Sequence, residues 1–491
     1  MQLPLPIPDL PPDQAPSLVP RPRQIYVNRN LRFDHVSMVG FDMDYTLAVY
    51  RQGAMDRLSI DATARKLVEL GYPECLLDAP YRTDFPIRGL LIDRQLGNIL
   101  KMDRYRYVKK AYHGMRELSR EQRHKCYHSR PVKPGTERYH WVDTLYGLSE
   151  VAVFAGAIEQ LDQVGLEVDR GQLFDDIRRS IDLSHQDGSI LNEILTHKDH
   201  YVRRDPNLAH TLHKLKSAGK RLFLLTNSRA AYTEEMMSYL FEGGLNGYSS
   251  WRTYFDLIIT AAKKPGFFSR DDIPLLNADG TGPVESLERG AIYAGGCLAE
   301  VSRLAGLSGD KVLYVGDHIY GDVLRAKKES AWRTMMIIQE MEQELSVHQR
   351  VTPMLDQMDH LEAVRGVLYE ELRFRKSELK RLSAELEGAR ERGESTTAIG
   401  VDRVNHKKGV DRLKGQLRSL DKELKEFEER IDGEFHPFWG SLFKAGSEVS
   451  LFGDQVEQYA CIYTDRVSNV LHYSPLHYFR SPRDRMPHEL F

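Results

Sequence analysis

Short apolar runs recur along this chain with amphipathic stretches between them. The runs cover residues 36–41, 221–226, 254–260, 311–315 and 333–338, each long enough for a buried strand. Several are followed by apolar positions at helical spacing, as in 232–241 and 322–328. Strands that alternate with helices need crossover connections, so the pattern predicts a mostly parallel sheet in an α/β core. In such sheets ligands gather beyond the carboxyl ends of the strands. Three of those ends read Gly40-Phe41-Asp42, Leu225-Thr226-Asn227-Ser228 and Val315-Gly316-Asp317. Acidic and small polar residues at three strand ends fit one convergent site.

A long insertion, roughly 55–205, separates the first two strands; it begins with a mixed segment, and its helical patterns from about 142 to 195 predict a mainly helical cap. Residues 268–288, with the run Asn277-Ala-Asp-Gly-Thr-Gly-Pro283, predict a loop or short hairpin. Near the C-terminus Val410, Leu413, Leu417, Leu420, Leu424, Phe427 and Ile431 recur in three- and four-residue steps. An earlier stripe, Leu361, Leu368, Leu372, Leu379, Leu382 and Leu386, follows a similar period, and a polar break at 393–400 separates the two. This predicts an antiparallel helical hairpin with a structural role, as a subunit contact or projecting arm. The first 23 residues are proline-rich and non-periodic, an extended arm. The expected organisation is an arm at 1–23, core at 24–110, cap at 111–205, core again at 206–345, the hairpin at 361–432, and a segment at 433–491 packing on the core or a subunit interface.

Composition narrows the class. A chain of 491 residues exceeds one simple core. A net charge of −3 gives no whole-chain case for nucleic acid or an anionic membrane. Cys75, Cys126, Cys297 and Cys461 are scattered with no Cys-x-x-Cys pair, which argues against a disulfide framework or zinc site and fits a reducing compartment. The chain opens without a basic stretch leading into an apolar one, and no long uncharged apolar run occurs. A soluble cytoplasmic protein is expected. The basic, aromatic stretches 104–110 and 123–130 leave room for a polyanionic effector such as a nucleotide, but no nucleic-acid motif accompanies them.

The chemistry centres on Asp42-Met-Asp44-Tyr-Thr-Leu47, directly after the first strand. Side chains alternate along extended chain, so the two carboxylates point to one side and suit a cation and an incoming phosphate. Asp42 can attack phosphorus, and Asp44 can protonate the leaving alkoxide and later activate water. Magnesium, a hard cation that prefers oxygen ligands, suits this set. Gly316-Asp317-His-Ile-Tyr-Gly321-Asp322 adds two carboxylates. Asp317 is the better ligand, and Asp322 is either a partner to the ligands or a helix cap. Thr226, Asn227 and Ser228 can donate to phosphate oxygens at a helix N-terminus. Lys264 can place a fixed positive charge on the transferred group, with Lys263 as competitor.

The order nucleophile strand, Thr-Asn-Ser, lysine, then Gly-Asp-x-x-x-x-Asp resembles the haloacid dehalogenase-like phosphohydrolases. The stretches 41–50, Phe85-Pro-Ile-Arg-Gly-Leu90, Thr226-Asn-Ser228 and 316–322, with Leu451-Phe452 and Met486-Pro-His-Glu489, resemble the cytosolic purine 5′-nucleotidase family, a likeness running from about residue 25 onward. The resemblance implies a Mg2+-dependent enzyme that releases phosphate from nucleoside 5′-monophosphates, favours IMP and GMP, and can pass phosphate to another nucleoside. It makes Asp42 the nucleophile and Asp44 the acid/base. It assigns metal ligation to the Asp42 carboxylate, the Asp44 carbonyl and Asp317, and phosphate contacts to Thr226, Asn227 and Lys264.

In the cap the resemblance makes Tyr146 the ring that stacks on the base, and the segment of Arg178, Asp182 and His185 the reader of a purine edge. One departure stands out: where the family has a lysine, this chain reads Ser189-Ile190-Leu191. A phosphatase for another small phosphomonoester is therefore a second reading, and a non-catalytic interaction protein on the same fold a third. Heptad stripes and resemblance together lead to an expected homo-oligomer, dimer or tetramer.

Overall fold

A computed structural model describes residues 19–128, 131–278, 282–306 and 309–482. Most of the proline-rich arm and the motif at 486–489 lie outside them. The chain divides into two compact units, Met1–Glu342 with Leu442–Phe491, and Gln343–Ser441.

The first unit is built on a nine-stranded sheet. Its strands are β1 (Tyr26–Val27), β2 (Met38–Phe41), β3 (Arg221–Leu225), β4 (Leu257–Thr260), β5 (Leu275–Asn277), β6 (Ile292–Gly295), β7 (Val312–Gly316), β8 (Arg333–Ile337) and β9 (Ile462–Thr464). Their spatial order is β1-β9-β8-β7-β2-β3-β4-β6-β5. All pairs are parallel except the two at the edges, β1 with β9 and β5 with β6. Strands β2, β4 and β7 are buried along their whole length. That is why they read as unbroken apolar runs rather than alternating ones. All five expected strands form.

Register brings the strand ends level. Phe41 lies opposite both Leu224 and Val315, and the Asp42 N–H donates to the Val315 carbonyl at 2.9 Å. Gly40 makes the central strand possible: a Cβ there would sit 2.0 Å from the Phe223 ring. The edge strands carried too few apolar residues to be read from the sequence. The 268–288 excursion supplies β5, which pairs back onto β6.

The mixed opening segment of the insertion contains strands that were not foreseen. The insertion's two ends pair with each other, Val49 and Tyr50 opposite Arg203 and Val202. Between them stands a second, antiparallel sheet of five strands, Leu90–Asp93, Asn98–Met102, Val108–His113, Arg116–Glu117 and Tyr139–Val142. The expected boundary at 110 falls inside one of these strands. Leu90–Asp93 and Asn98–Met102 are buried along their whole length, yet Asp93, Asn98 and Lys101 interrupt their apolar runs and hide them in the sequence. The helices Leu148–Gln163, Arg170–Gln186 and Ser189–Thr196 fill the region where helical periodicity appeared.

The second unit is an antiparallel helical pair contributed by Met341–Glu391 and Thr397–Phe435. Val410, Leu413 and Leu417 pack on Leu372, and Ile431 on Val347 and Val351, so the heptad stripe is the seam between the helices. Among the described residues no helix is long and apolar enough to cross a membrane.

Candidate active site

Four strand ends deliver the polar residues to one place. Asp42 leaves β2 with both a backbone and a side-chain donor on one oxygen: the Met43 N–H reaches Oδ1 at 2.8 Å and Lys264 Nζ reaches it at 2.9 Å. Lys264, beyond β4, also donates to Asp322 Oδ1 at 2.7 Å and to the Tyr314 hydroxyl at 2.9 Å. Burial alone would lower its pKa, but Asp322 and Asp42 outweigh that and raise it, so the ammonium is charged. Lys263, with its backbone at φ 56°, is exposed. The geometry therefore selects Lys264.

Asp44 sits in a different environment. Tyr50 Oη donates to its Oδ1 at 2.6 Å and Ser228 Oγ to its Oδ2 at 2.6 Å. Burial raises its pKa, and these two hydroxyls oppose the rise. Thr226 is fully buried, and its Oγ1 accepts the Ser228 N–H at 3.1 Å. The Asn227 amide is committed to the backbone of Lys264, accepting its N–H at 2.6 Å and donating to its carbonyl at 3.1 Å. Asn227 thus holds the lysine loop in place.

Carboxylate oxygens of Asp42, Asp317 and Asp322 lie within 4.8 Å of one another. Asp322 enters this group because Gly316 leaves space, since a Cβ there would lie 2.5 Å from its Oδ2. Burial, then repulsion from Asp322, pushes the Asp317 pKa up to about 7, with Arg88 opposing. Burial also raises Asp42 well above the usual range, against the pull of Lys264. Three hard oxygen donors crowded with surplus negative charge fit a divalent cation such as Mg2+. The Asp44 carboxylate is not in this group.

These residues line a cavity of about 970 Å³ together with the cap residues Tyr146, Arg178, Asp182, His185 and Leu191. Thr226 does not line it. The Tyr146 hydroxyl lies 3.1 Å from His185 Nδ1, and the two rings are 4.8 Å apart. Burial lowers the His185 pKa, so the ring is neutral near pH 7. Arg178 faces Glu150, Nε to Oε2 at 3.6 Å, and His140 approaches the same oxygen at 3.3 Å.

Several of these partners escaped sequence reasoning. Tyr50 and Arg88 lie inside stretches that carried the resemblance, yet nothing in one sequence distinguishes a buried arginine from a surface one. Tyr314, Glu150 and His140 gave no signal at all, because only the fold brings them near.

The 5′ nucleotidase family profile matches residues 25–491. The chain belongs to the 5′ nucleotidase family. It is accordingly a phosphoric monoester hydrolase. A 5′-nucleotidase domain-containing protein from Dictyostelium discoideum (DDB_G0275467) is 28% identical over 482 residues, covering 95% of this chain and 75% of that protein. Human 5′-nucleotidase domain-containing protein 2 is 30% identical over 356 residues, covering 69% and 67% respectively. A solved structure of a predicted phosphoglycolate phosphatase from Haemophilus somnus 129PT aligns with 62% of this chain and 85% of its own, at 13% identity and a TM-score of 0.29.

Proposed function

We propose that this member of the family is a Mg2+-dependent nucleotidase that converts nucleoside 5′-monophosphates, purine ones foremost, to nucleoside and phosphate through an aspartyl phosphate on Asp42. The observation that carries the reading is the split between two neighbouring carboxylates. Asp42 is tied through Oδ1 to a fixed ammonium, which leaves Oδ2 to attack; Asp44 is held through both oxygens by hydroxyls. Carboxyl groups in such different environments take different roles.

In the first step Asp42 Oδ2 bonds to phosphorus, the ester P–O bond breaks, and the departing 5′ oxygen takes a proton from Asp44. Asp44 then takes a proton from water, which attacks phosphorus and frees both phosphate and Asp42. Lys264 lies where it can neutralise a phosphoryl oxygen. Asp42 and Asp317, with the Asp44 carbonyl, would hold Mg2+, which supplies further charge neutralisation for the phosphate. The cap supplies recognition: Tyr146 offers an aromatic face, Arg178 a donor and Asp182 an acceptor.

The test is phosphate release from all common nucleoside monophosphates, with and without Mg2+. Turnover of IMP and GMP ahead of sugar phosphates is expected. A sugar phosphate hydrolysed while every nucleotide is untouched would favour the second reading, a phosphatase for another small phosphomonoester, to which Leu191 in the cavity wall lends support.

A further inference from the structure

The turn Gln339–Glu340 follows β8 and leads into the helix Met341–Glu391. It supplies none of the candidate catalytic groups, yet it reaches two of the loops that carry them. Gln339 Nε2 donates to the Tyr45 carbonyl at 2.9 Å, in the loop that holds Asp42 and Asp44. Tyr45 has φ 58°, a left-handed backbone that an L-residue adopts only when its surroundings hold it there. Glu340 takes two arms of Arg88, Nε at 2.7 Å and Nη2 at 2.6 Å. The third arm, Nη1, donates to the Asp317 carbonyl at 2.9 Å. The Arg88 side chain has no solvent exposure, and its guanidinium lies 5.1 Å from the centre of the Phe452 ring.

Only a guanidinium can bind a carboxylate through two nitrogens and still aim a third N–H at a fixed angle. A buried ion pair contributes little net stability compared with apolar packing, whereas its rigid geometry can fix a backbone atom. We infer that Arg88, Glu340 and Gln339 are positioning residues that set the Asp317 loop and the Tyr45 turn at a fixed separation, and so hold the metal-binding carboxylate in register with the nucleophile. The inference rests on the nucleotidase reading above for its catalytic consequence, but its metal-binding consequence stands apart from it.

The test is titration calorimetry of the full chain with Mg2+ alone, alongside nucleotide hydrolysis measured across Mg2+ concentrations. Loss of a group that orients a ligand weakens metal binding by about 10–100-fold, which is the expectation for Arg88→Lys. Its turnover should recover at saturating Mg2+ with the nucleotide KM unchanged. Glu340→Gln keeps the side-chain shape and should shift Mg2+ affinity the same way, which serves if Arg88→Lys does not fold. Gln339→Ala acts on the other loop, which carries Asp42 and the Asp44 carbonyl: Mg2+ affinity should fall as well, and kcat should stay below the parent's even at saturating Mg2+. The inference is overturned if the parent binds no Mg2+, or if Arg88→Lys and Glu340→Gln bind Mg2+ as the parent does. It is overturned in its Tyr45 half if Gln339→Ala keeps the parent kcat. Should the parent hydrolyse no nucleotide, the nucleotidase reading fails, while the calorimetric comparison still decides the positioning role.

Discussion

Asp42 and Asp44 stand two positions apart, and their hydrogen-bond partners separate them. If Asp42 forms the covalent intermediate, Asp42→Asn should lower phosphate release by on the order of 10⁴-fold, because the amide cannot take its place as nucleophile. Tyr50→Phe tests the other carboxylate. The Tyr50 hydroxyl stabilises ionised Asp44, so removing it raises the Asp44 pKa and keeps the acid protonated to higher pH. The basic limb of the kcat profile should therefore move upward in pH; an unmoved limb would show that Asp44 is not the titrating acid. At this scale the sequence was informative where chemistry follows a strand end. Asp42, Asp44, Lys264 and Asp317 could be read because each stands next to an apolar run with small residues beside it. Asn227 was expected on the phosphate and is found holding the Lys264 loop, since one sequence cannot say whether an amide faces a ligand or its neighbour's backbone.

At the scale of elements, helix Ser189–Thr196 carries Leu191 into the cavity wall, at the position where the resemblance to purine 5′-nucleotidases leads one to expect a lysine. Leu191→Lys introduces a charged donor, and a hydrogen bond to a charged group contributes roughly 1.5–3 kcal/mol. The expected outcome is a kcat/KM for IMP and GMP about tenfold or more higher, with little change for pyrimidine nucleotides, read from steady-state kinetics. Helix Gln52–Glu69 buries Asp56, whose Oδ1 accepts from Gln52 at 2.8 Å while Oδ2 has no hydrogen-bond partner among the described residues. Burial pushes its pKa up from 3.8 to about 7. The folded chain therefore holds this proton more tightly than the unfolded one, and Asp56 costs stability increasingly as pH rises from about 4 to about 7. Asp56→Asn should raise the melting temperature at pH 8 and matter little near pH 4, with a ceiling of about 4 kcal/mol at 1.36 kcal/mol per pKa unit. Strands buried on both faces were easy to foresee and the hairpin seam likewise. The five-stranded sheet of the insertion was not, because its strands are short, mixed in polarity and joined by turns that resemble loops.

Across the whole molecule, charge balance in the site links ligand binding to folding. Four buried or half-buried carboxylates, Asp42, Asp44, Asp317 and Asp322, converge around the Lys264 ammonium. A divalent cation bound there stabilises only the folded chain, by about 2.7 kcal/mol at a hundredfold excess over Kd. Chelation with EDTA should lower the melting temperature, Mg2+ should restore it, and Asp317→Asn should blunt the response. A melting curve indifferent to both would remove the metal from the account. Whether the heptad seam also mediates assembly is a matter for light scattering, which is expected to report a dimer or tetramer.

The strand order has a consequence for how the polypeptide is made. The strand bearing Asp42 lies between partners that begin at residues 221 and 312. When a ribosome has produced the first half of the chain, that strand has only one of its neighbours, and its other edge is open to unwanted pairing. Premature termination before residue 312 would yield a product prone to aggregate rather than a weakened enzyme, and nascent chains of that length are where a chaperone would be needed.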